Sequence, residues 1–317
     1  MKKNIRRVLS IVLVIAPLVW IYTRTSAEAL AETLNAVRPL LLICILALAF
    51  FIMIMQGAKW WVLIRRFVPE LRLGRAVSVH IESAFYAVAL PTSAAHDVVR
   101  SVMLSRSHSP QVVWAATWLG KLIGFFVLIL LSVFGAVYVQ SETLPANFRS
   151  SIFAALAVLT VMSAASFSKK MTRPLRTIIA AVLSPKTMNR LDRVREGIYT
   201  FKHERSTLLQ TFIITAAVQL LVMFMISLTM YAVTGKFYFI ECLAFVPLIE
   251  IVALSLPLTP GGIGIREALM AAFFMHLGLS PQETASYVTI SLMVTMLRLT
   301  GGVYPLYRFV AKRKQLP

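Results

Sequence analysis

Apolar residues in this chain run in unbroken blocks, near residues 5–23, 39–64, 112–139, 151–167, 207–233 and 284–306. A bilayer core about 30 Å thick is crossed by roughly 20 residues of α-helix. A soluble helix instead carries a stripe of apolar residues at a 3.6-residue period, which blocks of this kind do not show. Hydrophobic residues make up 58% of the 317 and charged residues only 14%. The expected fold is therefore an all-α integral membrane protein of about six transmembrane helices in a single polytopic domain.

The net charge of +19 would suit a nucleic-acid binder, so the placement of the cations decides. They cluster at 2–7, at Lys59 to Arg75, at Arg100 and Arg106, at ten positions between Lys169 and Arg205, and at Arg308 to Lys314. The alternate loops hold only Arg24, Arg38, Arg149 and Lys236. This is the positive-inside pattern of a multi-pass protein of a bacterial-type cytoplasmic (inner) membrane, with both termini cytoplasmic. The basic face is matched to anionic membrane lipids, and no nucleic-acid partner is expected. The first block also has the layout of a signal peptide, with Thr25-Ser26-Ala27 as its small-residue site, and the remaining topology is the same under either reading.

Parity of the basic loops requires two segments that enter and return. One enters from Ala76 to Leu90 and begins its return around Pro91-Thr92-Ser93-Ala94-Ala95-His96-Asp97. The other comprises 239–256 and 265–279, separated by Pro257-Leu-Thr-Pro260-Gly261-Gly262-Ile-Gly264-Ile-Arg266-Glu267. An open loop at membrane depth survives only when buried in protein or lining a polar cavity. Pro91, Pro257 and Pro260 are the expected helix breakers. Two re-entrant hairpins, or eight helices if both cross fully, satisfy the charges.

The two hairpins belong to similar halves, 39–139 and 207–306, joined by a basic cytoplasmic linker at 168–206. Asp97 and Arg100 follow the first break as Arg266 and Glu267 follow the second, and Lys121-Leu-Ile-Gly124 is answered by Arg298-Leu-Thr-Gly301. Parity gives the second copy the opposite orientation, an inverted repeat of the kind in which broken helices meet near the midplane. Gly261, Gly262 and Gly264 allow positive φ and close approach. A helix starting near Ile265 would aim its free N–H groups at a phosphate. Arg266 can add a bidentate contact. Glu267 balances it or receives an ammonium headgroup, unless Arg266 pairs internally with Glu250 or Glu267. Asp97 and Arg100 stand one turn apart, which also suits an ordinary ion pair. Lys121 and Arg298 lie inside apolar blocks and need a partner or a cavity, with Asp97, Glu82, Glu250 or a lipid phosphate as candidates. Gly120 and Gly124 read as helix packing, residues 186–206 as an amphipathic helix on lipid or a solvated linker, and Cys44 and Cys242 as buried thiols. His80 with Glu82 is only a fragment of a zinc motif, so neither metal nor cofactor is expected.

The spacing P-x-T-P-G-G-x-G-x-R-E over 257–267, with Pro91, Asp97 and Arg100 before it and Arg298-Leu299 after it, resembles the lysylphosphatidylglycerol synthase transmembrane region, also described as the flippase-like domain family. That family usually has Gly-Gly before the aspartate where this chain has Ala95-His96, and Lys121 has no clear counterpart. The resemblance implies a flippase-like transporter that moves an anionic phospholipid or polyprenyl-phosphate headgroup between leaflets, sometimes beside a lipid-modifying enzyme. An integral-membrane transferase, with Asp97, Glu250 or Glu267 as base, and a noncatalytic partner subunit are the alternatives. The chain ends shortly after its last apolar block, so lysyl transfer by a soluble domain is not expected of it.

Overall fold

The structure, a computed structural model, describes residues 2–88, 90, 94–139, 150, 152–154, 156–158, 160–161, 185–255, 259, 262–303 and 305–306. The described residues form helices and no strands. Pro91, Pro257, Pro260 and Gly261 lie outside them, as do most of the block at 151–167, the first part of the basic linker and the C-terminal basic cluster.

In chain order the helices are α1 (Lys2–Tyr22), α2 (Ala27–Ala36), α3 (Pro39–Ile64), α4 (Leu73–Val88), α5 (Ala95–Ser105), α6 (Pro110–Tyr138), α7 (Pro185–Phe201), α8 (Arg205–Thr234), α9 (Phe239–Ser255), α10 (Ile265–His276) and α11 (Pro281–Met296), followed by a 3-10 helix, Leu297–Gly302. Their ends follow from local chemistry. Proline opens α3, α6 and α11, where its missing N–H is no loss. Ser280 and Glu283 form a reciprocal cap on α11, and Gly235, at φ 72°, closes α8 in the left-handed region.

Three helices, α3, α6 and α8, are long and apolar enough to cross a membrane, and α1 with α2 makes a fourth candidate bent by 85°. Only 22–33% of each of the three long windows is buried inside the protein. Their outer faces carry Leu40, Ile43, Phe134, Leu209 and Ile213, all exposed, as expected of surfaces solvated by lipid. The last apolar block is not one regular α-helix: it is α-helical to Met296 and then tightens into 3-10 geometry. Both segments expected to break are helix–break–helix units, α4/α5 and α9/α10.

The early and late helices pack across one another. The long helices α3 and α8 pack together, α4 lies against the 3-10 helix, and α9 lies against α6. Glycine makes the last two possible. A Cβ at Gly135 would overlap the backbone at Leu243 and Ala244, and one at Gly301 would overlap the carbonyl of Ile81. Beside Gly135, Ser132 Oγ donates to the Ala244 carbonyl at 2.6 Å.

The apolar side of α7 is spent on protein: Gly197 meets Gln111 and Ala115 of α6, and Ile198 and Phe201 are buried in the core around Trp60. The lipid-lying and solvated-linker readings both give way to this docking. Cys242 is buried beside Met230, whereas Cys44 faces outward from α3, because that helix shows most of its surface to lipid.

Candidate functional site: a charged cavity between two broken helix pairs

The start of α5 puts Asp97 and Arg100 on one face, and Arg100 Nη2 donates to Asp97 Oδ1 at 2.9 Å. The same guanidinium stacks over Trp60 of α3, 4.5 Å from the ring centroid, and its Nη1 lies 3.3 Å from His80 Nδ1. Arginine only donates, so that contact needs the His80 nitrogen unprotonated. His96 Nε2 in turn donates to the His80 carbonyl at 3.0 Å, with the two rings edge-on at 4.3 Å. The other Asp97 oxygen lies 3.5 Å from Lys121 Nζ on α6, so one carboxylate serves two cations. A contact of 2.7 Å between the buried Ser101 and Thr117 hydroxyls holds α5 on α6 and fixes this arrangement.

In the second unit Arg266, in the first turn of α10, reaches back to α9. Its Nη2 donates to Glu250 Oε2 at 3.0 Å, and its Nε lies 2.7 Å from Oε1. The internal pairing with Glu250 is thus the one realised. Glu267 behaves differently from the expected headgroup receptor. It is 1% exposed, and its Oε2 accepts the Gly264 N–H at 2.6 Å, closing the helix start on itself. Gly264, at φ 87°, presses against the α1 backbone at Leu13 and Val14, and Gly262, at φ 81°, packs on Ala253. These two glycines allow a tight turn beneath α1 and are not among the residues lining the cavity described next.

Asp97, Arg100, Lys121, Glu250, Arg266 and Arg298 all line one cavity of about 380 Å³. It is bounded by α3, α6 and α8, by both broken pairs, and by α11 with the 3-10 helix that carries Arg298. Such a volume is ordinary for a small-ligand site. Glu82, although buried on α4, does not line it. Gly120 and Gly124 do line it; a Cβ at Gly120 would touch Leu63 of α3 at 3.5 Å, whereas one at Gly124 would meet open space, so close helix packing does not account for Gly124. Lys59, Gln56, His80, His96, Gln219 and Tyr287 also face the cavity and were not singled out from the sequence as a site. Lys59 was grouped there with the loop cations that follow the second block. The signal for it was nonetheless present, because Gln56, Lys59, Trp60 and Leu63 fall at i, i+3, i+4 and i+7 on α3, and all four line the cavity.

Formal charge in the cavity is uneven. Five cations (Lys59, Arg100, Lys121, Arg266, Arg298) face two carboxylates (Asp97, Glu250). Placed among apolar helices, this excess is suited to an anion.

The family described as "Lysylphosphatidylglycerol synthase TM region" matches residues 7–301, nearly the whole chain. No curated protein and no solved structure matches it.

Proposed function

Because the chain belongs to the lysylphosphatidylglycerol synthase TM region family, and because charged residues from both of its broken helix pairs meet in one cavity, we propose that it moves the headgroup of an anionic lipid between leaflets. The lipid is a phospholipid or a polyprenyl phosphate, and the membrane is a bacterial-type cytoplasmic membrane in which both termini face the cytoplasm. The headgroup travels through the cavity while its chains stay in the surrounding lipid. The two halves act as an inverted repeat, each broken pair guarding the path from one side.

The observation that carries this reading is the convergence of Arg100, Lys121, Arg266 and Arg298 on a single cavity inside a bundle whose outer surface is apolar. Cations at membrane depth are costly and mark a path for charged cargo when they are gathered around a polar space. A transferase is less favoured because the carboxylates offered as bases are engaged: Asp97 by Arg100 and Lys121, Glu250 by Arg266, and Glu267, away from the cavity lining, through Oε2 in its helix cap. A separate lipid-modifying enzyme is the natural source of the cargo.

Reconstitution into liposomes tests the proposal. Purified protein should move a short-chain fluorescent phosphatidylglycerol across the bilayer faster than protein-free vesicles do, and Arg266→Gln should cut that rate by about tenfold or more. No movement of any anionic lipid, together with product formation that depends on the protein in cell extracts, would replace transport by the transferase reading.

A further inference from the structure

We propose that the cavity is selective for a doubly charged phosphate, a phosphomonoester or a diphosphate, over the singly charged phosphodiester of an ordinary phospholipid. This rests on the anionic-headgroup site proposed above and narrows its substrate class.

The reason lies in which charges are already spent. Asp97 uses one oxygen on Arg100 and the other on Lys121, and both oxygens of Glu250 lie against Arg266. Lys59 of α3 and Arg298 of the 3-10 helix line the same cavity and form neither an ion pair nor a hydrogen bond among the described residues. Two cations are therefore left without a carboxylate partner, one from each half of the chain, and because Asp97 is shared by Arg100 and Lys121 the cavity's formal excess is three positive charges. The volume of about 380 Å³ has room for several water molecules at about 30 Å³ each, enough to hydrate both cations when no headgroup is bound. A headgroup that displaces this water has to replace the hydration of both cations. A phosphodiester brings one charge and leaves one cation uncompensated in apolar surroundings. A phosphomonoester carries about 1.5 to 2 negative charges near neutral pH and matches the pair. A headgroup bearing an added amine, net neutral or cationic, fits worse than either.

The chemistry is shared by a lipid phosphate and by free phosphate or pyrophosphate, so the test separates them. Full-length protein in nanodiscs is titrated with short-chain phosphatidic acid, phosphatidylglycerol and phosphatidylcholine, with inorganic phosphate and pyrophosphate as competitors. Phosphatidic acid should bind about tenfold tighter than phosphatidylglycerol at about pH 8, a difference of about 1.4 kcal/mol. Lys59→Gln and Arg298→Gln should each bring that ratio below about threefold, while Lys59→Arg and Arg298→Lys keep it and show that the fold tolerates change at both positions. Competition by pyrophosphate as strong as that of the lipid assigns the site to soluble phosphate under the same charge rule, and weak competition assigns it to the lipid. Equal affinity for the two lipids, or a ratio unchanged in both glutamine variants, overturns the proposal. Selective binding without liposome movement would sink the transport reading alone, and movement without selectivity would sink this one alone.

Discussion

Asp97 is the residue on which the first half of the site turns, because its two oxygens hold Arg100 at 2.9 Å and Lys121 at 3.5 Å from different helices. Asp97→Asn keeps the shape but removes the charge that positions both. Transport should fall by about tenfold or more, with a stability loss of about 1–3 kcal/mol, measured as the melting of solubilised protein beside the liposome rate. Wild-type transport in that variant would reduce the pair to an ordinary helix contact. In the second half Arg266 and Glu250 depend on each other. Either neutralisation alone leaves a partner uncompensated, so Arg266→Gln with Glu250→Gln should be less destabilised than the two single changes added together, with a coupling of about 1–3 kcal/mol. Additive losses would show that the pair is not coupled.

At this scale the sequence pointed to most of the charged residues that line the cavity. Asp97, Arg100, Lys121, Arg266 and Arg298 stand out because a charge in an apolar block is expensive and has to be used. Glu267 and the glycines were harder to read. A glutamate three residues after a glycine fits a headgroup receptor and a self-capping helix start equally well, and only the packing of Gly264 against α1, far away in sequence, distinguishes them.

Helices are held in place by a few close approaches. At Gly135 a Cβ would overlap the α9 backbone, and at Gly264 the positive φ adds to a clash with α1. Gly135→Ala and Gly264→Ala should each destabilise the protein by about 1–3 kcal/mol, seen as a lower melting temperature in detergent with lipid added. Unchanged melting in both would mean that these contacts are not tight in the folded protein. Element boundaries were legible wherever chemistry marks them: Pro39, Pro110 and Pro281 open helices, and both broken pairs fall where charge parity demanded a return. The 3-10 ending after Met296 and the docking of α7 on α6 were not legible. Apolar content alone does not distinguish a helix facing lipid from one facing a neighbour, and Gly197 reveals its role only once Gln111 is seen beside it.

For the molecule as a whole, the arrangement inverts that of a soluble protein, with apolar side chains outward and charge around an internal cavity. The orientation expected from the cation bias is open to direct test. Single cysteines at the exposed Ser107 and Lys236, in a Cys44→Ser background, should react with an impermeant thiol reagent from opposite sides: Ser107 from the cytoplasm and Lys236 from outside. Labelling of both from one side would contradict the assigned topology.

The central claim is that an anionic headgroup passes through the cavity between the two broken pairs, and a plug tests it most directly. Gly124 lines that cavity, and a Cβ there would meet open space, so Gly124→Trp puts a large side chain into the path without removing any charged group. In liposomes, the wild-type protein should move anionic lipid well above the rate for zwitterionic lipid. The Gly124→Trp protein should fall to the protein-free rate while melting as the wild type does. Undiminished movement of anionic lipid in that folded variant would place the path elsewhere.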